Sequence, residues 1–89
     1  MERIITKSII QQFSIWLKNE EKSENTVEKY IRDVTVFSEF CAGEITKDTV
    51  IAYKQNLIDS GYAVRSVNSM LASLNSLFSF LGWYDCKVR

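Results

Sequence analysis

The chain of 89 residues contains no proline and only three glycines, and this scarcity of helix-breaking residues constrains its fold more than any other feature. Gly43, Gly61 and Gly82 each follow a stretch in which apolar residues recur at three- and four-residue steps. Such spacing places side chains on one face of a helix, and glycine suits the left-handed conformation in which many helices end. The sequence therefore predicts an all-α domain of four amphipathic helices, with the three glycines marking helix ends.

The apolar spacing also predicts approximate bounds for these helices. We expect the first at about 7–21, the second at 24–42, the third from just after Thr46 and the fourth at 64–81. Ser23 and Thr46 are expected N-caps, because a hydroxyl can accept a hydrogen bond from the free amides of the first turn. Cys41 and Ile58 are expected to continue the apolar faces of their helices, and residues 83–89 are interpreted as the beginning of a connection. The expected core includes Trp16, Val27, Tyr30, Ile31, Phe37, Leu57, Leu71, Leu74 and Phe78.

Length and composition limit the function classes. A chain of this length forms one small domain, and its 46% hydrophobic and 25% charged residues are typical of a globular protein. The 11 basic and 11 acidic residues cancel, so the overall basic excess that is usual for nucleic-acid binders is absent. There is no apolar run of membrane-spanning length and no signal-peptide pattern, so we expect a cytoplasmic protein.

The residues usually found in active sites and metal sites are scarce. The chain has no histidine, so it lacks the Ser–His and Cys–His pairs of nucleophilic catalysis and a side chain that titrates near neutral pH. The two cysteines are far apart and fit neither the common zinc spacings nor a disulfide framework. The three dispersed glycines form no phosphate-binding loop. We therefore predict that the isolated chain is not an enzyme and holds no cofactor or metal.

Two helix faces carry side chains that suit an anionic ligand. Asn25, Lys29 and Arg32 lie opposite the apolar stripe of the second helix, near its N-terminus, where the helix dipole favours anions. The same pattern also fits the solvated face of an ordinary helix. The outer face of the fourth helix is mostly small and neutral, and it consists of Arg65, Asn68, Ser69, Ala72, Ser76 and Ser79. Such a face can approach phosphates or base edges closely, or it can pack on another protein surface.

Four motifs occur in a recognisable order along the chain. The longest, at 23–40, reads Ser-x-Asn-Thr-Val-x-x-Tyr-x-Arg-Asp-Val-x-x-Phe-x-x-Phe. It is preceded by Phe-x-x-Trp-Leu at 13–17 and followed by Ile-Thr-Lys-Asp-Thr-Val-x-x-Tyr at 45–53. The fourth, at 65–81, reads Arg-Ser-Val-Asn-x-x-Leu-x-x-Leu-x-x-Leu-Phe-x-Phe-Leu. Together they resemble the N-terminal core-binding (SAM-like) domain of tyrosine recombinases, the phage-integrase family.

The resemblance implies a compact four-helix bundle that forms one jaw of a clamp around double-stranded DNA. Residues 1–89 would then be a core-binding domain, with the catalytic domain absent from this chain and the source bacterial or phage. Implied partners are DNA, the catalytic domain of the same parent protein and other recombinase protomers in a synaptic complex, with no membrane. Asn75 stands where many family members have a basic residue. The DNA-binding residues implied are Ser23, Asn25, Thr26, Lys29, Arg32, Arg65, Ser66, Asn68 and Ser69.

Two other functions are compatible with the residues. One is a helical protein-interaction module with no DNA role, which would use the small-residue face of the fourth helix. The other is a bundle that only holds a neighbouring domain. The neutral total charge favours these alternatives, whereas the four motifs in order favour the recombinase. If DNA is the ligand, we expect Lys22, Lys29, Arg32 and Arg65 to lie on one side of the domain.

Overall fold

The computed structural model describes residues 3–41 and 43–88, and this part of the chain is all-α, as predicted. The four helices are α1 (Lys7–Asn19), α2 (Glu24–Phe40), α3 (Lys47–Asp59) and α4 (Val64–Leu81), and one turn of 3-10 helix follows at Tyr84–Cys86. Both predicted bounds of α4 and the starts of α1, α2 and α3 are confirmed. α1 ends two residues earlier than expected, and the expected last residue of α2, Ala42, lies outside the described residues.

Short polar side chains cap three of the helix starts. The Ser23 hydroxyl accepts a 3.2 Å hydrogen bond from the Thr26 amide, which confirms Ser23 as the N-cap of α2. Thr46 caps α3 in the same way, and Thr49 accepts a bond from the Thr46 amide in return, forming a capping box. Thr6 caps α1, which the sequence analysis did not predict.

Two of the three predicted glycines have a left-handed backbone conformation at the end of a helix. Gly61 has φ of 88° and Gly82 has φ of 76°. The third glycine, Gly43, does not directly follow its helix, because α2 ends at Phe40 and the next residue, Cys41, is extended (φ −79°, ψ 119°). After α1 the left-handed position is taken by Glu21 (φ 61°), although a side chain there is strained.

The core lies between α2 and α4, with α1 and α3 packed on either side. Leu71, Leu74 and Phe78 of α4 are buried, and the whole predicted core belongs to one cluster in which Trp16, Tyr30, Ile31 and other residues are partly buried. Ile58 was expected in this core, but its residue surface is 47% exposed. The reason is that Val50, Tyr53 and Leu57 define the buried stripe of α3, and the next residue lies about 100° further round.

Residues 83–88, which the sequence suggested as the beginning of a connection, pack against the helices. Cys86 is completely buried, whereas Cys41, expected to be a core residue, is only partly buried. Arg3, before α1, binds both carboxylate oxygens of Asp85 at 2.8 Å, which lowers the pKa of Asp85. Residues 83–88 therefore close over the end of the bundle opposite the start of α4. None of the described helices has the length and apolar character that crossing a membrane requires.

Candidate nucleic-acid interface

An open groove of about 540 Å³ runs between the exposed edges of α2 and α4. The two helices present polar side chains to it at three- and four-residue steps, which is why their apolar stripes can face the core at the same time. From α2 it is lined by Lys29, Arg32, Asp33 and Val36. From the α3–α4 connection and α4 it is lined by Tyr62, Arg65, Ser66, Ser69 and Met70.

Arg32 and Arg65 are the unpaired cations of this groove. Both residues are exposed, one on each wall. Within residues 3–41 and 43–88, neither guanidinium forms an ion pair or a hydrogen bond with the protein. A guanidinium carries five N–H donors in a planar arrangement that matches phosphate oxygens. The groove therefore presents two free guanidiniums, and Ser66 and Ser69 are among the residues that line it with them.

Lys29 also lines the groove, but its ammonium is already bound. It donates to Asp33 Oδ2 at 2.6 Å, to Ser73 Oγ at 3.1 Å and to the Ser69 carbonyl at 3.2 Å. Ser73 in turn donates to Asp33 Oδ2 at 2.7 Å. The Asp33 side chain is only 8% exposed and that of Lys29 is 34% exposed. This cluster links α2 to α4 and cancels the charge of Lys29 within the domain.

Tyr53 of α3 carries another buried polar group, its hydroxyl. Its ring packs on Phe37 with 5.0 Å between centroids. Its hydroxyl is buried and has no hydrogen-bond partner in the described part of the chain. Burial, with a smaller contribution from the Asp33 carboxylate, raises the pKa of Tyr53 to about 12. The tyrosine is therefore neutral at physiological pH.

A second open groove, of about 690 Å³, lies between α1 and α2 and shares Arg32 with the first. Lys18 and Lys22 line it, but so do Glu24 and Glu28, so its charge is mixed. Lys22 thus lies beside the α2–α4 groove and not in it. Although this second groove is larger, its three cations face two carboxylates, whereas the three cations of the first groove face one, so it is a weaker candidate for an anionic ligand.

The structure brings five of the nine predicted binding residues together in the α2–α4 groove: Lys29, Arg32, Arg65, Ser66 and Ser69. The other four lie elsewhere. The hydroxyls of Ser23 and Thr26 bond to each other at 2.9 Å at the start of α2, where Asn25 is exposed. Asn68 lines a separate depression with Asn75 and Val88.

Sequence reasoning missed Asp33 and Ser73, the two buried polar residues of the site. Asp33 follows Lys29 by four residues, a spacing at which opposite charges pair on a helix. That spacing was the available signal for the ion pair. Ser73 has no comparable local signal, because it is 40 residues from its partner Asp33. No three metal-ligating side chains come together among the residues that the structure describes.

Comparison with known proteins agrees with this architecture. The family model for the phage integrase N-terminal SAM-like domain matches residues 10–84. The chain is 32% identical over 81 residues to tyrosine recombinase XerA of Pyrococcus horikoshii and 27% identical over 81 residues to XerA of Pyrococcus furiosus. Each alignment covers 91% of this chain and 28% of the relative, so the chain spans less than a third of either protein. With four helices in the expected order and a family match over most of its length, the chain belongs to the phage integrase N-terminal SAM-like domain family.

Proposed function

We propose that this chain binds double-stranded DNA as the N-terminal core-binding domain of a site-specific tyrosine recombinase. The observation that supports this most directly is the pair of exposed, unpartnered guanidiniums of Arg32 and Arg65 on opposite walls of one groove. In this proposal the whole of residues 1–89 is the core-binding domain and is itself non-catalytic. The active site then lies in a C-terminal domain of the parent protein.

The groove is suited to holding a phosphate backbone, not to reading sequence. Arg32 and Arg65 can each bind phosphate oxygens in a bidentate manner, and the short side chains of Ser66 and Ser69 leave room for the strand. Phosphate contacts of this kind position a protein on the duplex without selecting a sequence. Since the net charge of the chain is +0, we expect the domain alone to bind weakly.

The remaining partners follow from the same assignment. In the full recombinase this domain would act with the catalytic domain of its own chain and with other protomers in a synaptic complex. It would work in the cytoplasm, where bacterial or phage DNA is accessible, and without contact with a membrane. The similarity to XerA supports a recombinase role for the parent protein.

Fluorescence anisotropy with a labelled 20-base-pair duplex tests the proposal. At physiological salt we expect non-specific affinity, with Kd of ~10⁻⁴–10⁻⁶ M. If Arg32, Arg65 and the neighbouring Lys22 contact phosphates, log K should fall with log[salt] at a slope of roughly −2.7. Arg32→Gln and Arg65→Gln should each flatten that slope by roughly 0.9.

Lys47→Gln is the matched control, because Lys47 is exposed at the N-terminal end of α3, whereas the groove residue Tyr62 follows the C-terminal end of that helix. It removes the same charge from the chain and should leave the slope unchanged. Absence of binding even at low salt, or equal effects of all three variants, would defeat the proposal.

The alternative of a protein-interaction module has less free surface than the sequence implied. The C-terminal half of the small-residue face of α4 is partly covered, since Lys87 donates to Ser79 at 2.8 Å and Asn75 binds Val88. When duplex DNA is added, chemical-shift changes confined to α3, or no binding even at low salt, would favour this alternative.

A further inference from the structure

We infer that Lys29 is a positioning residue and not a phosphate contact: with Asp33 and Ser73 it locks α2 against α4 and thereby fixes the separation of Arg32 and Arg65. This inference rests on the proposed DNA-binding function. It divides the basic residues of the groove into two classes, the arginines that contact DNA and the lysine that holds their helices together.

The Lys29 ammonium has no donor left for DNA. An ammonium has three N–H donors, and Lys29 has three acceptors within 3.2 Å. One acceptor, Asp33, belongs to α2, and the other two, Ser69 and Ser73, belong to α4. A phosphate could bind Lys29 only by displacing one of these acceptors.

Displacing one of these acceptors would cost free energy. The Asp33 side chain is 8% exposed, so moving Lys29 to a phosphate would leave a nearly buried carboxylate with Ser73 as its remaining partner. Removing one partner from a buried ion pair is strongly unfavourable. Arg32 and Arg65, in contrast, are exposed and exchange only water for phosphate. The arginines are therefore the cations that DNA can recruit.

The ion pair of Lys29 with Asp33 also affects the salt dependence expected for DNA binding. Salt dependence counts the phosphates that a protein neutralises. Lys29 and Asp33 form a pair with no net charge, and their 2.6 Å contact puts the compensating charge directly beside the ammonium. Lys29 should therefore contribute little to the salt slope, although it lines the groove.

The residues that bind the Lys29 ammonium lie close to the two arginines along their helices. Asp33 directly follows Arg32 on α2, and Ser69 lies one helical turn beyond Arg65 on α4. The contacts that Lys29 makes to Asp33 and Ser69 therefore connect the two backbone segments that carry the guanidiniums. If this link is lost, the helices can shift and the spacing of the arginines across the groove changes.

The test compares the salt slopes and stabilities of Lys29→Met and Arg32→Gln with those of the wild-type chain. Lys29→Met keeps a long unbranched side chain but removes the ammonium. We expect its Tm to fall by roughly 10 °C and its DNA affinity to fall several-fold, with a wild-type salt slope at a temperature where it is folded. Arg32→Gln should keep the Tm and flatten the slope by roughly 0.9.

A double variant separates positioning from simple loss of stability. Lys29→Met with Asp33→Leu removes both charges, and an apolar pair of similar size can replace a buried ion pair without loss of stability. We expect it to recover most of the Tm and most of the DNA affinity, with the wild-type slope. A folded double variant whose slope is flatter by about one unit would show that Lys29 contacts phosphate and would overturn the inference.

NMR of the lysine ammonium groups gives an independent measurement. The Lys29 ammonium, held by three acceptors, should exchange slowly with water and keep its signal position when duplex DNA is added, while the Arg32 and Arg65 Nε signals shift. Movement of the Lys29 signal together with the arginine signals would overturn the inference and leave the proposed function intact. Failure of the wild-type chain to bind DNA at all would instead overturn both.

Discussion

The side chain of Asn75 and the backbone of Val88 exchange two hydrogen bonds. Asn75 Nδ2 donates to the Val88 carbonyl at 2.6 Å, and the Val88 amide donates to Asn75 Oδ1 at 3.0 Å. The side-chain amide of Asn75 therefore pairs with the backbone of Val88 in the way that a second backbone amide group would. This relationship holds the C-terminal segment on α4.

Replacing Asn75 should therefore destabilise the domain locally. Asn75→Ala removes both hydrogen bonds and should lower the free energy of unfolding by about 1–2 kcal/mol. Hydrogen exchange should speed up for the Val88 amide more than for amides in the middle of α4. Asn68→Ala is the matched control on the same helix, since Asn68 is exposed, and it should be nearly neutral for stability. Equal effects of the two substitutions would contradict this role of Asn75.

Because Leu74 lies in the centre of the core, we expect its truncation to cause a much larger loss of stability. Leu74 is completely buried in α4, so Leu74→Ala leaves a cavity and should cost ~2–5 kcal/mol. This is a large part of the stability of a domain of this size, and the variant should unfold at much lower urea. Val64→Ala, at a position that is 76% exposed, should change the free energy of unfolding by less than about 0.5 kcal/mol. A mild effect at Leu74 would mean that the core is packed differently.

Two neighbouring residues of α4 test which surface meets DNA. Ser69 lines the α2–α4 groove, whereas Asn68 lines a separate depression. Ser69→Leu should obstruct the groove and weaken duplex binding several-fold, with little change in salt slope because no charge is removed. Asn68→Leu places the same leucine side chain outside the groove and should leave affinity within about twofold. Anisotropy titrations compare the two, and the reverse order of effects would place the DNA on the other side of α4.

Because the Tyr53 hydroxyl is buried without a partner in the described part of the chain, we expect that its removal does not lower the stability of the domain. Tyr53→Phe eliminates a buried polar atom that has no partner in the described part of the chain, so the free energy of unfolding should stay equal or rise by about 1 kcal/mol at pH 7. Urea unfolding at that pH measures the difference. A clear loss of stability would reveal a hydrogen bond to this hydroxyl.

The same substitution should change the alkaline pH dependence of stability. Because the folded-state pKa is raised from 10.0 to about 12, the contribution of Tyr53 is fully present below pH 10. The folded state keeps the proton longer than the unfolded state, so stability falls as pH rises between these values. Tyr53→Phe should show a smaller loss over this interval. Identical alkaline profiles for the two proteins would argue against the raised pKa.

Local features of the sequence determined where the helices begin and what class of fold they form. The caps Ser23 and Thr46 act on amides only a few residues away, and the apolar periodicity of α4 needs no distant partner. These signals are complete within one or two helical turns, so they can be interpreted without tertiary structure. The exposed arginines, Arg32 and Arg65, could also be placed on helix faces from spacing alone.

Tertiary packing decided which basic residues of the groove are free and where residues 83–88 lie. The spacing on α2 offered Lys29 only its partner Asp33, whereas Ser69 and Ser73 of α4, distant in the sequence, supply the other two acceptors of its ammonium. Arg32, on the same helix, meets no such acceptors. The position of residues 83–88 was equally hidden, because it depends on contacts with Arg3 and Asn75 that no periodicity records. Each of these outcomes depends on which side chains meet across helices, and that is fixed only when burial of the common core sets the helices at one separation.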